Sequence, residues 1–275
     1  MLTRETSYRW SDAKITATGV TNQRTDRSFP LLEHRWPAFC GGEGKTVTLP
    51  AGNYEWPFEF MLPGDTSESV EGVPEASITY KLKATITRGK LAYDLHTYKP
   101  LRIIRTLEPG SLEFLHAISV ENIWPNKIDY SILIPQKAVV FGTSIPMEMR
   151  FTPLLKGLEL GEVTARLVET RDVSLTGTSG LVLREKRSER EVATWKFDIP
   201  RSECWHDMIE DTGQEGWTID KKLNLPRKLR QCVQDLNHHG IKIRHKLKLI
   251  IALKNPDGHI SEVRQKETVN RRAKC

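Results

Sequence analysis

Four groups of residues in this sequence have side chains of the kind that do chemistry. The first is Cys204-Trp205-His206-Asp207, with Cys232 and His238-His239 downstream. Thiols and imidazoles of this type hold zinc. Their spacing, C-x-H and then a distant lone Cys, matches no standard structural zinc pattern. They read as surface histidines and half-buried cysteines in loops, and no metal site is expected. The second group is Gly41–Thr46, GGEGKT, which carries the Gly-Lys-Thr of a phosphate-binding loop. Such a loop needs a glycine where Phe39 stands and a helix after the threonine to meet the phosphate. Here Val47-Thr48-Leu49-Pro50 follows, a strand-like run into a turn, so the stretch reads as a hairpin-type turn. The third group is the scatter of His, Ser, Asp and Glu. His96 and His116 sit in or beside strand patterns, no G-x-S-x-G elbow occurs, and no two carboxylates are placed for acid–base work. No catalytic residue and no cofactor are expected.

The fourth group has the clearest positional logic. Lys242, Arg244, Lys246 and Lys248 recur at every second position, so on a strand they share one face about 7 Å apart. They could meet anionic lipid head groups, an acidic tail or phosphates. Near a membrane each would contribute on the order of 1 kcal/mol. The plainer reading is a solvated face whose lysines oppose edge-to-edge aggregation. No exposed aromatics interleave with the strip, which argues against nucleic acid.

The elements that must position these groups are strands. Tyr54, Trp56, Phe58, Phe60 and Leu62 alternate along one face between Pro50-Ala51-Gly52 and Pro63-Gly64-Asp65. The alternation predicts a buried aromatic strand, the spine of a core, with Pro57 at an edge or bulge because it cannot donate to a ladder. Ser7–Val20 is strand-like but irregular, Asn22–Ser28 reads as a polar loop, and Glu33–Phe39 and Lys45–Leu49 are short strand candidates. Residues 78–107 read as a long antiparallel hairpin turning at Gly89-Lys90. A second series follows Trp124-Pro125-Asn126: Lys127–Ile134, Val139–Phe141, Ser144–Phe151, Val163–Val173, Glu189–Phe197, Trp217–Lys222 and Ile241–Asn255. Asn255-Pro256-Asp257-Gly258 is a turn into Ile260–Lys266. In Ile241–Asn255 the residues Ile241, Ile243, Leu247, Leu249, Ile251 and Leu253 face one way and the cations the other. No amphipathic helix of four turns is present, so the chain reads as all-β with two sandwich modules.

Composition sets outer bounds. The 275 residues suffice for one large or two ordinary domains. No apolar run approaches the roughly 18–20 residues that span a bilayer, and Met1–Val20 has no apolar signal-type core. Four widely spaced cysteines without a C-x-x-C pair, and no N-x-S/T sequon, favour a reducing, intracellular setting with free thiols. The net charge of +6 lies mainly beyond residue 110 and is weak evidence for acidic partners or anionic lipid.

Several blocks resemble the fungal α-arrestins, the arrestin-related trafficking adaptors, and most of all the CreD-type HECT ubiquitin ligase-interacting proteins. They are Leu49–Gly72 (LPAGNYEWPFEFMLPGDTSESVEG), Ile78–Leu107, Leu112–Gly142 (LEFLHAISVENIWPNKIDYSILIPQKAVVFG), Phe151–Leu160 and Ile241–Glu262. The resemblance implies two tandem immunoglobulin-like arrestin β-sandwiches. The N-domain would cover 1–108 without its first strands, a connector 109–124, and the C-domain 125–266 without its last strand, with 267–275 a polar basic tail. Tyr54, Trp56, Phe58, Phe60 and Trp124 would be the structural signature, with part of the sheet over the aromatics lying outside this chain. The implied role is a non-catalytic adaptor linking a HECT-type, WW-domain ubiquitin ligase to the cytosolic tails of plasma-membrane transporters or receptors, for ubiquitylation and endocytosis. The protein would be cytoplasmic and peripheral at the plasma membrane and endosomes. The family's Pro-x-Tyr ligase motif does not occur here. A ligase-independent cargo scaffold of the retromer-subunit type and a non-functional truncated product are the alternatives.

Overall fold

The computed structural model describes residues 1–16, 19–42, 45–88, 92–105, 116–140, 142–176, 181–209, 214–228 and 231–272, with side chains omitted at 10–25, 208–209 and 267–272. The chain divides into two compact units, Met1–Arg105 and Thr106–Cys275. The architecture is all-β. The one described helix, α1 (Arg201–Cys204), has four residues, and no described helix is long and apolar enough to cross a membrane.

The first unit holds a four-stranded antiparallel sheet in the order β2-β1-β3-β4. Its strands are β1 (Leu2–Thr16), β2 (Gly19–His34), β3 (Ala76–Ile86) and β4 (Leu95–Leu101). β3 and β4 pair in the hairpin register that the alternation predicts; its turn at Gly89-Lys90 lies outside the described residues. The polar stretch Asn22–Ser28, expected as a loop, is instead part of β2 and pairs with β1 from Ala13 to Ser7. An edge strand takes its hydrogen bonds from one neighbour and buries little, so polarity does not exclude it. Pro30 fits for the same reason, beside a register shift at Arg4/Glu5 on this edge.

The aromatic run is the main correction. Residues 45–62 form no strand. Tyr54, Trp56 and Phe58 are 41%, 40% and 53% exposed, not sealed between sheets. Pro50, Pro57 and Pro63 remove donors that a ladder needs, and alternation cannot tell an extended run from a paired strand. The rings pack on one another and on the end of β2. Tyr54 stacks on Trp56 with centroids 5.8 Å apart, Phe58 meets Trp36 edge-on at 4.9 Å, and Phe60 lies 4.2 Å from His34. Trp36 Nε1 donates to the Glu59 carbonyl at 2.8 Å. The core of this unit lies instead at Leu2, Val70, Val73, Ile78 and Tyr80. There Thr66–Val70 threads beside β3, with a bridge between Val70 and Ile78. The buried Tyr80 hydroxyl donates to the Ser67 carbonyl.

The second unit is a sandwich. Its five-stranded sheet runs β11-β12-β8-β6-β5, from β5 (Ile118–Trp124), β6 (Ile128–Ile134), β8 (Ser144–Pro153), β11 (Trp205–Ile209) and β12 (Gln214–Asn224). Its six-stranded sheet runs β10-β9-β14-β15-β7, with β13 also on β14. Those strands are β7 (Ala138–Val140), β9 (Glu159–Thr176), β10 (Val182–Phe197), β13 (Leu236–His238), β14 (Ile241–Lys254) and β15 (Ile260–Arg272). One core joins the facing sides: Ile128, Ile132, Met149, Phe151 and Trp217 from one sheet, Val163, Leu167, Leu247, Leu249 and Ile251 from the other. β14 alternates buried and half-buried along its length, the two-period its sequence predicts. β15 differs from expectation. It continues past Lys266 to Arg272, pairing with β14 as far as Val269 and then in parallel with β7 at Asn270–Arg272. Residues 267–272 are therefore strand, not tail. Backbone pairing, first with β14 and then with β7, holds this largely polar segment in a sheet.

Candidate functional site

β14 positions the site on both of its faces, because β-strand side chains alternate. On the outer face the four predicted cations stand in line, half-buried among neighbours from β9, β10 and β15. Two of them are already engaged. Arg244 donates to Asp172 Oδ2 at 2.8 Å, and Lys248 lies 3.5 Å from Glu189 Oε2. Among the described residues Lys242 and Lys246 have no ion pair. Burial lowers the Lys246 ammonium, and the nearby Lys266 and Arg244 charges add to this, against the pull of Glu189. Glu189 is lowered chiefly by Lys248. The outer face is thus a mixed-charge lattice with two unpaired cations, not a uniform basic stripe.

The inner face carries what the strip does not. His245 occupies a core-facing position between Ile243 and Leu247 and is fully buried. Directly across on β9 stands Glu169, also at 0% exposure. His245 Nδ1 donates to Asp235 Oδ1 at 2.6 Å, and Nε2 lies 3.3 Å from Glu169 Oε2. Cys232 Sγ is 3.3 Å from the same Nε2 and is itself buried. Glu169 Oε1 accepts from Arg171 Nε at 2.6 Å and from Arg190 at 3.1 Å. Glu169 Oε2 accepts the Val233 N–H at 3.0 Å. Burial pushes the Glu169 carboxyl up, but the His245 hydrogen bond, the Arg171 charge and the Val233 N–H together hold it down at about 2. Burial pushes the His245 imidazole down, and the Asp235 and Glu169 carboxylates overcome this and raise it. The network closes the segment 231–235 onto β9 and β14.

Donor atoms of Glu169, Cys232 and His245 all lie within 4.8 Å of one another. Of the first sequence grouping only Cys232 enters this cluster. Cys204 ends α1, and His206 and Asp207 lie on β11, an edge strand of the five-stranded sheet. The His238 and His239 rings lie 4.2 Å apart and tilted at 49° to each other at the turn into β14. GGEGKT behaves as a turn where it is described, Lys45 donating to the Gly42 carbonyl at 2.9 Å. No helix follows it. His96 accepts or donates at Thr85 Oγ1 at 3.0 Å on the β4–β3 pair. Trp124 is half-buried against the core, with Lys127 Nζ 4.3 Å above its ring.

Sequence reasoning omitted Glu169, Asp235 and His245 from any site. A signal was present. The core series of β14 steps through Ile243, then His245, then Leu247, and that of β9 through Leu167, Glu169, Arg171 and Val173. Polar residues at core registers of two strands must find partners inside. Which partners they find is a matter of register, not of either strand alone.

Comparison with known proteins gives consistent matches. Residues 3–108 match the family described as arrestin (or S-antigen), N-terminal domain. Residues 124–268 match arrestin (or S-antigen), C-terminal domain. Among curated relatives, the "Probable HECT-type ubiquitin ligase-interacting protein creD" of Aspergillus oryzae is 47% identical over 235 residues, covering 85% of this chain and 39% of that protein. The protein of the same description from Aspergillus terreus is 45% identical over 256 residues, 93% of this chain and 44% of that protein. The "HECT-type ubiquitin ligase-interacting protein creD" of Emericella nidulans is 44% identical over 256 residues, 93% of this chain and 42% of that protein. The chain spans about two fifths of the length of these relatives.

Proposed function

This chain belongs to the arrestin family, and from that premise we propose that it is the folded part of a non-catalytic adaptor for a HECT-type ubiquitin ligase. The observation that carries this reading is the ordered match to both arrestin domains, together with relatives named for interaction with that ligase class. In this reading the adaptor brings the ligase to cytosolic tails of membrane transporters or receptors, whose ubiquitylation leads to endocytosis. It works in the cytoplasm and at the plasma membrane and endosomes. The non-catalytic role is supported by the burial of the cluster of Glu169, Cys232 and His245, each fully shielded, where no macromolecular substrate has access.

Cargo tails would dock by strand addition at open sheet edges. β4 is such an edge, with Leu95 49% and Tyr98 59% exposed. The outer face of β14 would add a weak lipid contact through Lys242 and Lys246. Two cations contribute about 2 kcal/mol at an anionic surface, enough to orient a protein already held by cargo and too little to anchor it alone. The test is reconstituted ubiquitylation of a transporter's cytosolic tail by a HECT ligase, with a full-length polypeptide that contains this chain. Ubiquitin transfer should rise when the polypeptide is added and fall when residues 3–268 are replaced by an unrelated domain. Transfer indifferent to that replacement would overturn the reading.

A further inference from the structure

We propose that the segment 231–235 is a proton-held latch, closed onto β9 and β14 by a charged His245 and released as pH rises through the neutral range. Two carboxylates face the ring. Asp235 Oδ1 lies 2.6 Å from Nδ1, and Glu169 Oε2 lies 3.3 Å from Nε2. A neutral imidazole has one proton for its two nitrogens. With that proton on Nδ1, the Nε2 lone pair would oppose Oε2 at a place where His245 and Glu169 are both 0% exposed. A second proton turns this repulsion into a charge-assisted contact. Cys232 Sγ, also 3.3 Å from Nε2, is a weak acceptor beside it. The charged and titratable groups around the ring come from three elements. β9 supplies Glu169, with Arg171 on its Oε1 at 2.6 Å. β10 supplies Arg190, on Oε1 at 3.1 Å and Oε2 at 3.2 Å. The segment supplies Cys232 and Asp235. On β14 itself the same face continues with Ile243 and Leu247, and β15 sets Val269 opposite in register. The guanidiniums oppose a further positive charge. The two carboxylate contacts outweigh burial and raise the imidazole above its ordinary range.

The same contacts hold the segment, which has no strand ladder of its own. Asp235 and Cys232 are tied to His245. The Val233 N–H donates to Glu169 Oε2 at 3.0 Å, and Arg190 donates to the Gln231 carbonyl at 3.0 Å. Because two of the ring's partners belong to the segment, opening it brings water to His245 and restores a value near 6.5. A group raised in the closed state stabilises that state fully below its open-state value, and this stability is lost as pH rises toward the closed-state value. Below about pH 6 the ring is charged in both states, and opening does not respond to pH. Above about pH 7 each opening releases one proton, so the opening constant should rise about tenfold per pH unit. Glu169 acts in the opposite sense, and only in acid, because its closed-state value is about 2.

Two measurements on the full chain test the latch. Long-range proton–nitrogen NMR correlation at pH 7.5 reads the ring directly, and His245 should carry protons on both nitrogens. Amide hydrogen exchange at Val233, corrected for the intrinsic rate, reads opening between about pH 5.5 and 8.5. It should be flat at the acid end and rise about tenfold per unit at the other. H245Q keeps a polar side chain that does not titrate, and should abolish the rise. D235N preserves a hydrogen-bonding group but removes one carboxylate charge, so the rise should level off at a lower pH; this variant serves where H245Q does not fold. C232S should keep the rise, because the thiol is not the titrating group. A neutral His245 ring at pH 7.5 in the folded chain overturns the proposal. Opening that ignores pH overturns it equally, as does a slope that survives in folded H245Q or disappears in folded C232S.

Discussion

Tyr80→Ala and Phe58→Ala form a pair of perturbations within one unit that separate two accounts of its core. The sequence pattern makes Phe58 part of the spine, whereas the structure gives that place to Ile78 and Tyr80. Tyr80 is 0% exposed, and its hydroxyl donates to the Ser67 carbonyl. Removing a buried ring of this size costs about 3–5 kcal/mol, and the orphaned Ser67 carbonyl adds to the loss. Phe58 is 53% exposed. Full burial of a Phe contributes about 1.5–3 kcal/mol, so its buried half contributes about 1. Its ring contact with Trp36 adds about 0.5–1.5 kcal/mol, for a total of about 2. Hydrogen exchange across Ala76–Ile86 in rising urea reads the opening free energy of β3 directly, apart from the second unit. Tyr80→Ala should lower that free energy at least twice as much as Phe58→Ala. Equal losses would refute the assignment and restore the aromatic run as the spine.

Three further outcomes follow from particular contacts. Gly240 has φ +69°, and a Cβ there would overlap the Ser174 carbonyl oxygen. Gly240→Ala should therefore cost more than the roughly 1–3 kcal/mol of backbone strain alone, measured as loss of Tm in the second unit. Gly258→Ala, with φ +84° and open space around its Cβ, should cost about 1 kcal/mol. Arg171→Met leaves the buried Glu169 carboxylate without its 2.6 Å partner and should destabilise by about 3–5 kcal/mol in chemical denaturation. Arg264→Met at the exposed pair with Glu262 should stay within about 0.5 kcal/mol. Lys242→Ala with Lys246→Ala should weaken binding to phosphatidylserine vesicles roughly 30-fold at low salt, from about 1 kcal/mol per charge. Arg244→Ala should do less, because Asp172 already holds that guanidinium.

Much of the fold was legible because a half-buried strand records its environment at every second residue. β14, β3, β6 and β8 are read correctly from alternation. Errors fall where alternation and pairing part company. Asn22–Ser28 is polar yet paired, because the backbone ladder of an edge strand needs no apolar side chain. Tyr54–Leu62 is apolar and alternating yet forms no strand, because Pro57 within it and Pro50 and Pro63 on either side remove donors a ladder needs. β15 runs on through polar residues to Arg272 because β14 and β7 supply its partners.

The candidate site divides along the same line. Lys242, Arg244, Lys246 and Lys248 share a face by local geometry alone, since two residues advance a strand one full pleat. That much the order of residues determines. Only the fold decides that Asp172 and Glu189 pair with two of those cations, while the other two have no ion pair among the described residues. Glu169 and His245 are 76 residues apart, and their meeting depends on the β9–β14 register. A slip of one residue would send both side chains to the solvent face. Cys232 and Asp235 come to them on a segment with no strand of its own, closed over the sheet by the Val233 N–H and the Gln231 carbonyl. The physical reason is range. Alternation is set by bonds between neighbours, while a buried polar cluster is set by which distant strands share a core.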